Sequence, residues 1–140
     1  MQPKPGLNPQ RLASLVAAAV DRCELDLRGK VVFTEAASGP YVVTPILAAR
    51  GGADHVYAIT RSTPHGTVDD VIAQTQEVAA LAGVPNRIEI VTERSRGIVG
   101  HADIVTNSGH VRPLDRELIG WMKSRYSTIR EIGARALTRR

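Results

Sequence analysis

The chain of 140 residues holds one cysteine, one tryptophan, one phenylalanine and three tyrosines, so only 4% of it is aromatic. Cys23 standing alone excludes an intramolecular disulfide and any Cys-x-x-Cys metal or redox pair, and it fits a reducing compartment. The histidines at 55, 65, 101 and 110 show neither His-x-His nor His-x-x-x-His spacing, so no metal site is expected. A Walker phosphate loop and a Gly-x-Ser-x-Gly nucleophile turn are both missing. The longest apolar run, Leu12 to Val20, is interrupted by Ser14 and falls short of the roughly 20 residues that a bilayer requires. Lys4, Arg11 and Ala17-Ala18-Ala19 give that run some features of a secretory leader, but a helix of a cytoplasmic protein is the better reading.

Apolar residues at 43% and charged residues at 23% are ordinary globular usage, and the length suits one domain. The formal net charge of +4 is carried entirely by residues 125–140, where Arg125, Arg130, Arg135, Arg139 and Arg140 face only Glu131. Three regions are therefore expected: a flexible leader over 1–7, rich in Pro and Gly, a folded domain over 8–124, and an arginine-rich helix or tail over 125–140. Ile129, Ile132, Ala136 and Leu137 recur at helical spacing, so the last region reads as an amphipathic helix, solvated or docked on a second subunit. Its clustered guanidiniums also fit phosphate neutralisation, but with Tyr126 as its lone aromatic a nucleic-acid partner is not expected.

Within the domain, strands and helices alternate. Asn8 caps a helix that begins at Pro9 and carries the stripe Leu12, Leu15, Val16, Ala19 and Val20. Val31-Val32-Phe33 reads as a strand covered on both faces, followed by a small-residue turn over Ala36 to Gly39. A helix then starts at Pro40, tolerates Pro45 near its beginning and ends at Gly51-Gly52. His55 to Thr60 forms a second strand and Thr67 to Ala82 a helix, with Asp69 and Asp70 in its first turn. Arg87 to Val91 and Ala102 to Thr106 give two more strands, separated by a polar loop over Thr92 to Gly100. Pro113 and Asp115 open a helix with Leu118, Ile119 and Met122. The alternation predicts an α/β fold, a three-layer sandwich with a short parallel sheet of about four strands and right-handed crossovers. An exposed sheet edge would be covered by homodimerisation.

In such sheets ligands bind beyond the carboxyl ends of the strands, which directs attention to the loops Glu35–Tyr41, Arg61–Gly66, Thr92–Gly100 and Asn107–Arg112. The first loop resembles the phosphate turn of the Rossmann NAD(P)-binding family. Counting back from Gly52-Ala53, the fingerprint glycines of that family fall on Ala36, Ser38 and Tyr41. The resemblance implies an anion cradle built from Ala36, Ser38 and Gly39, altered by Tyr41 and by Pro40, which has no N–H; a purely structural turn is the alternative. After the second strand the chain reads Thr60-Arg61-Ser62, with His65 nearby, where NAD-binding members carry an acidic residue. Arg61 and Ser62 therefore point to NADP, because a guanidinium grips the extra phosphate in bidentate fashion. The segment Ala102 to His110, with Arg112-Pro113-Leu114-Asp115 after it, is similar to the fourth strand of hydroxyacid-dehydrogenase-like and adenosylhomocysteinase-like members. That similarity implies that Asn107 and Ser108 face the nicotinamide ribose.

The resemblance spans about residues 27–123 and stops before the strands that carry catalytic groups in those families, so a shortened relative with an incomplete catalytic apparatus is expected. His110 and Arg112 suit a general acid and an anion clamp, although a capped loop explains them equally well. A weaker resemblance, to S-adenosylmethionine-dependent methyltransferases, rests on Glu35, Ala37 and Gly39, with Asn107-Ser108-Gly109-His110 in place of their Asn-Pro-Pro-aromatic motif. It implies S-adenosylmethionine as the alternative ligand. A third alternative is a non-catalytic dimeric regulatory module. The expected ligand in the first reading is a small-molecule nucleotide, with no membrane association.

Overall fold

The computed structural model describes residues 8–64, 66–84 and 86–123. The expectations for the leader, for His65 and for the arginine-rich tail lie outside these residues.

Four parallel strands, β1 (Val31–Glu35), β2 (His55–Ile59), β3 (Ile88–Val91) and β4 (Ile104–Val105), form one sheet in the order β3-β2-β1-β4. This is a Rossmann-like arrangement. β1 and β2 pair along their whole length, from Val31 opposite His55 to Glu35 opposite Ile59. β4 pairs with β1 through Ile104 and Val105 alone, opposite Val32 and Phe33.

The helices follow from local chemistry. α1 (Pro9–Cys23) starts where the Asn8 side chain accepts the Arg11 N–H at 3.1 Å, with proline in the first turn. It packs on α2 (Val43–Arg50) and α3 (Val68–Leu81) through Ala13 and Val16, while Leu15, a member of the expected stripe, is exposed. α3 opens with a capping box: the Thr67 hydroxyl accepts the Asp70 N–H and the Asp70 carboxylate accepts the Thr67 N–H, each at 3.1 Å.

Two short helices complete the described chain. Where the sequence predicts a polar loop over Thr92 to Gly100, α4 (Arg96–His101) begins within it and runs one residue beyond, capped by the Ser95 side chain and anchored by fully buried Val99. α5 (Arg116–Trp121) is capped by Asp115, whose carboxylate accepts the Leu118 N–H at 2.9 Å.

Strand alternation divides the core between the two faces. Val32, Val56, Ile88 and Ile104 pack towards α2, with Ala36 and Ala58 against Val71 of α3. On the other face Phe33, Ile59 and Val105 meet Val99, Val111, Leu118 and Met122. The helix after β1 thus covers one face and the helix before β4 the opposite one. The strand order reverses between β1 and β4, and the topological switch point lies there.

Candidate functional site

The turn after β1 is organised by Gly39, whose φ of +74° is a conformation that side chains disfavour. It leads into a 3-10 turn, Gly39–Val42, before α2 begins. The extra turn settles how Tyr41 occupies the position of the third fingerprint glycine. Val42 is fully buried and Tyr41 is 67% exposed, so the bulky ring never enters the contact between helix and strand. The Gly39 N–H is directed to the side-chain oxygen of Gln74 on α3, at 3.2 Å, and Ala36 donates its N–H to the Ile59 carbonyl at 2.9 Å. Both amides serve the fold.

Beside this turn lies a cavity of about 350 Å³. Its wall includes Ser38 and Tyr41 from the turn after β1, Thr60, Arg61 and Gly66 from the end of β2 and its loop, and His110 from the loop after β4. The loop after β2 is closed by reciprocal backbone hydrogen bonds between Thr63 and Gly66, at 2.9 and 3.1 Å. Gly66 rests against Ser38, since a Cβ there would lie 3.6 Å from the Ser38 hydroxyl.

Two features of the wall are chemically unspent. Arg61 is exposed and makes no hydrogen bond or ion pair with the described residues. Thr60 is fully buried, its N–H is held by the Val91 carbonyl at 2.9 Å, and its hydroxyl has no partner among the described residues. A buried hydroxyl without a partner costs about 1–3 kcal/mol, and the Thr60 hydroxyl is a group that the fold leaves unused beside the cavity.

The side of β1 that faces β4 is built differently. The Glu35 carboxylate, at the end of β1, accepts the His110 N–H at 3.0 Å. A Cβ at Gly109 would overlap that carboxylate, so a larger residue here requires the Glu35 side chain to shift. The hydroxyls of Thr34 and Thr106 bond across the strands at 2.8 Å, and Thr106 bonds onward to Ser108 at 2.8 Å. Val111 plugs the loop into the core. From outside, Arg94 braces the same loop by donating to the Pro113 carbonyl at 2.7 Å and to Asp115 at 2.6 Å. The Leu118 N–H and Arg94 hold the Asp115 carboxyl below the usual carboxylate range.

Of the residues singled out from sequence, Ser38 and Arg61 meet at one cavity, with Ser62 exposed next to Arg61. Ala36 and Gly39 support the turn from behind. Asn107 and Ser108 lie in the loop after β4, outside the cavity wall. The Asn107 side chain accepts from Arg112 Nε at 3.2 Å and its carbonyl accepts from Arg112 Nη2 at 3.2 Å, so the guanidinium considered as an anion clamp is folded onto its own loop. Thr60 was not legible beforehand, because its interest lies in a missing partner.

Among the described residues no group of three or more His, Cys, Asp or Glu side chains is placed to hold a metal, and no helix is long and apolar enough to cross a membrane. No protein-family model and no curated protein matches the chain. What the chain has in common with known folds is the Rossmann-like sheet, and the cavity lies at its carboxyl end.

Proposed function

We propose that the chain is a nucleotide-binding domain that takes NADP by its phosphorylated adenosine end, in the cavity between the loops after β1 and β2. The observation that carries this reading is the convergence on one cavity, at the carboxyl end of the sheet, of Arg61 and Thr60, whose guanidinium and hydroxyl have no partner among the described residues. A guanidinium supplies paired donors to a phosphate, and a buried hydroxyl satisfies a ribose or phosphate oxygen. Ser38 adds a further hydroxyl-bearing residue to the wall.

The reading is one of binding without hydride transfer. His110 donates its backbone N–H to Glu35, and the loop that would address a nicotinamide ribose is hydrogen-bonded within itself through Asn107, Arg112, Thr106 and Ser108. Calorimetric titration of the protein with NADP, NAD and S-adenosylmethionine tests the proposal. Saturable binding of NADP, at least tenfold tighter than NAD, is the expected result; binding confined to S-adenosylmethionine, or to none of the three, refutes it.

A further inference from the structure

Resting on that reading, we infer that Glu35 and Gly109 form a clasp that shuts the switch-point crevice, so that the site takes the adenosine 2′,5′-bisphosphate moiety alone and leaves the nicotinamide half of a dinucleotide unbound. A dinucleotide in an open parallel sheet lies across the switch point, with its pyrophosphate over the end of the first strand and its two halves on either side. In this chain the end of β1 is already covered. Glu35 is buried there, the residue being 8% exposed, and its carboxylate is bonded to His110 and pressed against Gly109.

The covering is more than one hydrogen bond. Thr34, Thr106 and Ser108 join β1, β4 and the following loop in a line of hydroxyls, and Val111 is fully buried beneath that loop. His110 links the two sides. Its backbone N–H closes the clasp while the residue lines the cavity, so the clasp is the far wall of the cavity. A pyrophosphate crossing β1 would have to break this partly buried hydrogen bond and then meet a carboxylate. A ligand ending in a 5′-phosphate stops short of that wall, with its 2′-phosphate at Arg61.

The test uses the unaltered protein and three ligands: NADP, adenosine 2′,5′-bisphosphate and nicotinamide mononucleotide, each titrated by calorimetry. The clasp predicts that the bisphosphate binds within tenfold of NADP and that nicotinamide mononucleotide does not compete with it. If NADP binds more than tenfold tighter than the bisphosphate, the nicotinamide half is held and the clasp is overturned, while the proposed function stands. If neither NADP nor the bisphosphate binds, the proposed function falls and takes this inference with it. A Glu35→Ala variant that keeps a cooperative thermal transition supplies a second arm: its preference for NADP over the bisphosphate should rise at least threefold, and an unchanged ratio counts against the clasp.

Discussion

The two flanks of β1 share a strand but differ at its carboxyl end. Towards β2 the loops stand apart around a cavity that has an unpaired hydroxyl in its wall and an arginine at its rim. Towards β4 the loops are drawn together by a carboxylate, a line of hydroxyls and a buried valine. Polarity alone does not distinguish the flanks, since both are rich in polar groups. What distinguishes them is whether those groups satisfy one another. The flank towards β4 is closed on itself, and on the proposed reading Arg61 and Thr60 are what the other flank holds for a ligand.

The comparison is broken most severely by Gly109→Ala. The added methyl group displaces the Glu35 carboxylate from the His110 N–H, and urea unfolding should show a loss of about 2 kcal/mol. Full native stability in that variant would mean that the clasp contributes nothing. The open flank is sharpened by Arg61→Ala, which should weaken NADP at least tenfold, leave NAD unchanged and alter the melting temperature of the free protein little, because the side chain is exposed. Equal losses for both nucleotides would move the phosphate contact elsewhere.

Thr60→Val gives a smaller effect with opposite signs. Removing an unpaired buried hydroxyl should stabilise the free protein by about 1 kcal/mol while lowering nucleotide affinity several-fold. Destabilisation without a change in affinity would show that the hydroxyl has a partner in the free protein.

The smallest effect belongs to Asp103, at the amino end of β4. Burial pushes its carboxyl up, but hydrogen bonds from Lys123 and the Val31 N–H, with the charges of Lys123 and Lys30, outweigh it and hold the group below its ordinary value of 3.8. The native state therefore binds fewer protons here than the unfolded chain. The stability this gives is complete above about pH 4 and is lost as the pH falls further. Asp103→Asn should flatten the acid limb of a stability-against-pH curve by less than about 1 kcal/mol and leave NADP binding at neutral pH intact.

Much of the fold was readable because the signals were local. Asn8 with Pro9, Thr67 with Asp70, and Gly51-Gly52 mark helix ends within a few residues of one another, and the apolar runs of β1 and β2 mark central strands. α4 was not readable, because two glycines in Arg96-Gly97-Ile98-Val99-Gly100-His101 lower its intrinsic helicity. It forms because Ser95 caps it and the core takes Val99. At the candidate site, Ser38 and Arg61 were legible as loop residues at strand ends. The pairing of Glu35 with Gly109 and His110 was not, since about 75 residues separate the partners and neither side carries a local signal of the other. Tyr41 misled for a related reason: only the inserted 3-10 turn makes it an outward position.

Gly109 also bears on how such a sheet could lose one ligand geometry and keep another. In the Rossmann fingerprint, glycines after the first strand let a visiting anion approach the backbone closely. Here the residue without a side chain sits after the fourth strand, and the anion it admits belongs to the protein itself. On the proposed reading Glu35 stands in for a phosphate, covalently attached and therefore present at every ligand concentration. An outside anion at this position competes against an intramolecular one that no dilution removes.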